Sequence, residues 1–208
     1  MTTPVVVLTV DQRGSRTGPD RIPEMLAGLA DVSTRVGFER TVGDEFQGVL
    51  DDGSAVADTV ERLLRADEWN IGIGVGPVDE PLPDHARAGR GTAYLHARTA
   101  VTTSKNSPWH TRVVGDDPAA RALETTIWLW AAVLARRSSR GWEVADLAAE
   151  GLSYAEVGER LGISQSAVSQ RAQAAGIVES RRAHELVAGL TTHLLGKSLH
   201  VKEDAHVR

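Results

Sequence analysis

The chain has 208 residues, 41% of them hydrophobic and 25% charged, with a formal net charge of -5. These values describe a globular chain and exclude bulk disorder. With no cysteine, disulfide frameworks, thiolate metal sites and thiol nucleophiles are excluded as well. The longest apolar run, Ile127–Ala135, is well short of the about 20 residues that span a bilayer. Residues 1–10 lack a basic segment ahead of an apolar run, so no secretory leader is predicted and a cytoplasmic location is expected. Residues 1–118 hold 12 basic and 18 acidic residues, and residues 119–208 hold 11 and 10. That division predicts two modules with different work, the second near neutral and not basic.

The first module alternates strands and helices. Val5–Val10 is a nearly continuous β-branched run, the mark of a strand buried on both faces. Asp11–Asp20 reads as a turn-rich loop, and Asp20 ahead of Ile22-Pro23 as a helix start with Met25, Leu26, Leu29 and Ala30 on its apolar face. Phe38–Val42 and Phe46–Leu50 flank Gly43-Asp44-Glu45 as a hairpin. Ser54 is placed to cap a helix whose stripe is Ala57, Val60, Leu63 and Leu64. Asn70–Val75 reads as a strand whose glycines invite close backbone approach. Gly91–Val101 is predicted as a helix and His110–Val114 as the last strand. The order βαββαβαβ predicts one sheet with helices packed on one face.

Asp117-Pro118 opens a long helix to about Arg137, with Asp as cap and Pro at the first helical position. Ser138-Ser139-Arg140-Gly141 reads as the linker. Helices follow at Trp142–Glu150, from Ser153 to Leu161, from Ser164 to Ala175, and over about Ser180–Leu195; the polar segment His200–Arg208 is expected to fray. Ser153 and Glu156 have the spacing of a capping box. Leu152 with Val157, and Ile163 with Val168, are spaced as hydrophobic staples.

Two short helices joined at Gly162 form a helix-turn-helix pattern. Val168, Ala172 and Ala175 mark the inner face of the second helix. The other face carries Ser164, Gln165, Ser166, Ser169, Gln170 and Gln173. Amides and hydroxyls read base edges in a major groove, and this face lacks the Lys and Glu of an ordinary solvated helix. Arg160, Arg171, Arg181 and Arg182 are candidates for phosphate contacts. The plain alternative is a helical hairpin that only packs. Leu152–Ala175 resembles the helix-turn-helix of bacterial regulators of the sigma region 4 and LuxR type, which implies double-stranded DNA as partner.

Asp11 follows a buried strand and Asp44 lies in the hairpin turn, and a βαββαβ sheet brings such loops to one edge. Two carboxylates there could hold Mg²⁺ and through it a nucleotide phosphate. An Asp in either place is also an ordinary turn former. Asp11-Gln12-Arg13-Gly14-Ser15 and Arg40-Thr41-Val42-Gly43-Asp44-Glu45-Phe46 resemble the two metal-binding loops of class III nucleotide cyclases, the second also the hairpin of diguanylate (GGDEF-type) cyclases. Ile71–Val78 and Gly91–Arg98 resemble the strand and helix that follow in those enzymes. The order palm domain, helix, helix-turn-helix resembles the SatD family. The resemblance implies metal ligands at Asp11 and Asp44, a base-contacting Arg40, and Arg98 in place of a transition-state arginine. The pattern departs at Tyr94, where the cyclases have an assisting Asn, and at Arg13, where diguanylate cyclases have a second acid.

The expected architecture is therefore α+β: a ferredoxin-like, cyclase-type palm (βαββαβ core) followed by an all-α helix-turn-helix domain. Its parts are a palm at 1–116, a connecting helix and linker at 117–140, the helix-turn-helix at 141–182, and a C-terminal helix and tail at 183–208. The expected function is sequence-specific DNA binding, with the palm serving dimerisation or nucleotide sensing; an active metal-dependent cyclase is the alternative. A homodimer is expected. Its candidate surfaces are the palm's sheet edge, the helix with Ile127, Trp128, Leu129 and Val133, and the last helix with Leu186, Leu190 and Leu194; the plain alternative is that all three stripes are ordinary core.

Overall fold

The computed structural model describes residues 3–197. Five strands, β1 (Val5–Gln12), β2 (Val36–Arg40), β3 (Glu45–Leu50), β4 (Trp69–Gly76) and β5 (Thr111–Val114), form one sheet in the order β2-β3-β1-β4-β5. β1 pairs antiparallel with β3 and β4, and β2 antiparallel with β3. This is the interleaved βαββαβ arrangement expected from the element order. β5 then joins parallel to β4.

β1 is central, and its residues Val5–Val10 are fully buried. Alternate side chains point to opposite faces of a strand, so both faces must be covered. Val6, Leu8 and Val10 pack with α1 (Ile22–Gly28), α2 (Gly53–Ala66) and α4 (Ala119–Leu134). Val5 and Val7 join Ala93 and Ala97 of α3 (Thr92–Ser104) on the other side. Helices thus cover both faces, not the one face expected. The cause lies in β4, where Ile71, Ile73 and Val75 alternate with Gly72 and Gly74. A Cβ at Gly74 would overlap the Ala93 carbonyl and the Ala97 nitrogen, and one at Gly72 the backbone of Val101. The glycine side of β4 is the slot that admits α3.

α4 closes the outer edge of β5. The buried Glu124 accepts the Val113 N–H at 2.9 Å and pairs with Arg112 at 3.2 Å, while Trp128 Nε1 donates to the Thr111 carbonyl at 2.9 Å. These contacts occupy groups that would otherwise offer an edge for pairing. Ile127 is fully buried, Trp128 and Val133 are half-buried, and only Leu129 of the α4 stripe stands exposed.

α8 (Ile177–Leu194) is also core. Val187, Leu194 and Leu195 join the cluster under the sheet, and α8 crosses α2 where a Cβ on Gly53 would overlap the Ala188 carbonyl. The expected third pairing surface is therefore consumed: Leu194 is buried, Leu190 half-buried, and Leu186 alone is exposed.

Between α4 and α8 lie α5 (Ser139–Ala149), α6 (Tyr154–Leu161) and α7 (Gln165–Ala174). They share a small core of Val144, Val157, Val168 and Ala172, ringed by Leu147, Leu152, Leu161 and Ile163. Ser138–Gly141, expected as linker, instead caps and opens α5: the Ser138 hydroxyl accepts the Gly141 N–H at 3.2 Å, and Gly141 is buried beside Ala175. At α2 the cap is Asp52, which accepts the Ala55 N–H at 2.9 Å, and Ser54 lies inside the helix. The tail at 200–208 lies outside the described residues.

Candidate nucleic-acid interface

The turn between α6 and α7 is built from local chemistry. Ser153 and Glu156 form the reciprocal capping box, and Gly162 ends α6 at φ 65, a left-handed conformation. A Cβ on Gly158 would sit 2.7 Å from the Ile163 carbonyl, so glycine lets the chain turn tightly over α6. The Ser164 hydroxyl accepts the Ala167 N–H at 3.2 Å and opens α7. Both staple pairs meet in the same apolar cluster.

This frame presents α7 with Gln165, Ser166, Ser169, Gln170 and Gln173 all exposed. At 3.6 residues per turn they occupy an arc of about 140°, opposite the buried Val168, Ala172 and Ala175. Ser164 is spent on the cap and on a 2.9 Å bond to Ser166 Oγ, so its place is structural first. Arg160 is exposed on α6, but Arg171 is half-buried outside the polar arc. Arg181 and Arg182 stand on α8 and pair with Glu185 at 3.9 and 2.8 Å. Across residues 138–176 three arginines face five carboxylates. The module therefore carries little positive charge for attracting phosphates. Arg140, exposed in the first turn of α5, is a cation that sequence reasoning passed over because Ser-Ser-Arg-Gly reads as a solvated loop.

The module is tied to the sheet domain through Trp142. Arg65 of α2 and Arg137 each lie 4.2 Å from its ring centre, and Arg65 also donates to both oxygens of Asp146 at 2.6 and 2.9 Å. Arg137 Nε donates to the Ala175 carbonyl at 2.9 Å. Nearby, His184 of α8 bonds Asp58 of α2 at 2.7 Å, which raises the histidine pKa, while burial raises that of Glu61.

The sheet domain has its own cleft. Asp11, Asp44, Glu45 and Arg98 line a space of about 370 Å³. Asp44 and Arg40 also line an adjoining space of about 460 Å³. The expected metal and nucleotide residues are thus neighbours, but each has a protein partner. Asp11 accepts from Asn70 Nδ2 at 2.8 Å and pairs with Lys105 at 3.3 Å; Asp44 accepts the Ser15 hydroxyl. Arg98 pairs with Glu45 at 2.8 Å, and Arg40 reaches Asp20 and the Gly43 carbonyl, each at 2.7 Å. Lys105, just past the end of α3, carried no signal in the sequence, and Ser15 stood in the first resembling loop without a role of its own, since nothing local marks either as a carboxylate partner. Tyr94 packs against Gly89 and lines neither space. Among the described residues no group of three His, Asp or Glu side chains is arranged to hold a metal ion.

α6, the capped turn and α7 with its exposed uncharged arc form a helix-turn-helix carried on an α+β sheet domain. Residues 132–175, from the last turn of α4 through α7, match the family described as Sigma-70, region 4. No curated protein and no solved structure matches the chain. No helix among the described residues is long and apolar enough to cross a membrane.

Proposed function

We propose that the protein is a sequence-specific DNA-binding regulator of transcription that works as a homodimer in the cytoplasm, with Gln165, Ser166, Ser169 and Gln170 reading bases. The observation that carries this reading is the exposed, uncharged arc of α7 on a buried and fully capped frame. Gln pairs adenine bidentately, and each such contact discriminates by about 1–3 kcal/mol. Gln170→Ala should relax preference at one base pair by that amount in a binding-selection assay. An unchanged preferred sequence and affinity would overturn the assignment. The low positive charge supports a shallow salt dependence and hence a need for two reading heads. Sedimentation with a DNA titration tests that: a monomer binding with undiminished affinity would refute it.

The sheet domain is read as the cyclase-like palm of a SatD-like protein, serving as a scaffold for pairing. The closed β5 edge and the exposed Val42 at the β2–β3 hairpin favour pairing on the β2 side. The second reading, nucleotide sensing with Mg²⁺ at Asp11 and Asp44, is favoured by the shared cleft of Asp11, Asp44 and Arg98. Two carboxylates plus phosphate oxygens can hold Mg²⁺, but here Lys105 must first leave Asp11. Calorimetry with ATP, GTP and cyclic nucleotides at millimolar Mg²⁺ separates the readings. Binding strengthened by Lys105→Met supports the sensor, and no heat with either protein leaves the scaffold.

A further inference from the structure

A cavity of about 180 Å³ lies where the sheet domain, α4 and α5 meet, away from both the reading face and the Asp11 cleft. Its floor is apolar, from Leu63, Ile71 and Leu134, and its walls include Trp69, Trp109 and Trp142. Three of the five tryptophans of the chain therefore converge on one small space.

Two features of the wall are unexplained by packing. Arg137 is only 8% exposed, yet among the described residues no carboxylate pairs with it; its Nη2 has no partner, and the Trp69 indole N–H has none either. Arg137 lies over Trp142 and its Nε reaches the Ala175 carbonyl, but a buried guanidinium nitrogen without an acceptor is costly, and so is the orphaned indole donor. Asp67 is on the rim but pairs with Arg13, and its side chain is 83% exposed, so it supplies no counter-charge within. Secondly, Trp109 holds φ 54 and His110 φ 50, a left-handed conformation that bulky side chains rarely adopt. This backbone keeps the Trp109 ring at the cavity wall though it is 42% exposed. Such strain gathers where a ligand is clamped.

We propose that this cavity binds a small planar carboxylate of the aromatic-acid class. The ring lies over the apolar floor between Trp69 and Trp109, since Arg65 and Arg137 already sit on the Trp142 ring. The carboxylate supplies the missing partner of Arg137 and an acceptor for the Trp69 N–H. Trp69 belongs to β4 and Trp142 to α5, so the occupant bridges the sheet domain and the helix-turn-helix.

Benzoate is the probe, titrated into the full chain without DNA, so failure here leaves the DNA-binding reading intact. Calorimetry should give one saturable site per chain, with quenching of tryptophan fluorescence. Benzyl alcohol, the same ring without the charge, should bind at least about tenfold more weakly, as the loss of a charge-assisted bond requires. Trp109→Ala, a change outside the core, should weaken benzoate at least about fivefold, and Arg137→Gln should erase the preference for benzoate over the alcohol. No saturable binding of benzoate would overturn the proposal. Equal binding of acid and alcohol by the unaltered chain, or full affinity in Trp109→Ala, would do so too, and neither measurement needs the Arg137 variant to fold.

Discussion

Arg65→Ala removes the side chain that joins the last turn of α2 to α5. Two contacts go with it: the cation on the Trp142 ring at 4.2 Å and the two-pronged pair with Asp146 at 2.6 and 2.9 Å. The side chains of Arg65 and Asp146 are 44% and 47% exposed, so solvent screens the pair to about 0.5–1 kcal/mol. The ring contact adds about 0.5–1 kcal/mol. Asp146 is not left as a buried charge, because it returns to water. The expected loss is about 1–2 kcal/mol in urea unfolding. A double-mutant cycle with Asp146→Ala should assign about 0.5–1 kcal/mol of it to the pair. Because the tie crosses between modules, the variant should also be cut faster by protease at residues 135–138 while the sheet domain stays intact. A loss below about 0.3 kcal/mol with unchanged proteolysis would refute the view that this contact holds the module in place.

Glu124→Ala should cost about 2–3 kcal/mol, since the Val113 N–H loses a charged acceptor in a buried setting, and the opened β5 edge should raise self-association in sedimentation. Gly158→Val should cost at least about 1–3 kcal/mol by driving a side chain into the Ile163 carbonyl, and should abolish DNA binding; a chemical melt and a gel shift read the two effects. Above pH 6.5 stability should fall as pH rises. The raised pKa of His184 contributes stability below 6.5 that is lost as pH climbs through the folded value. Glu61, raised from 4.5 by burial, acts in the same direction at lower pH. Asp58→Asn removes the largest cause of the histidine shift and should flatten the upper part of a Tm-against-pH curve.

Where a residue's role is set by its neighbours in sequence, it was legible beforehand. The run Val5–Val10 could only be a strand covered twice, and the Ser153–Glu156 box, Gly162 and the two staples fixed the helix-turn-helix to the residue. The glycines of β4 announced a close approach, but not from which side. What the sequence left open was which surface an apolar stripe meets. Leu190 and Leu194 would satisfy a partner chain as well as their own core, and periodicity reports only that a face is covered. Ser138-Ser139-Arg140-Gly141 misled for a related reason. Serine is both a loop residue and a helix cap, and only Ala175, distant in sequence, explains why Gly141 is buried. In the sheet cleft the carboxylates were foreseen, while their partners Lys105, Asn70 and Ser15 come from separate elements that only the fold brings together.

The return of α8 to the sheet domain means that the reading head enters and leaves through the same body, as a bracket fixed at two points and not a pendant on a string. A pendant tolerates variable half-site spacing, because its tether absorbs the difference. A bracket cannot. In the proposed dimer, the distance and the phase between the two α7 helices would be set by the sheet domains. Inserting about five base pairs between half-sites turns one of them to the far side of the DNA, near half of the about ten base pairs of a helical turn. In the proposed dimer the duplex would then have to twist or bend to restore contact, so that half-site spacing would add its own term to specificity.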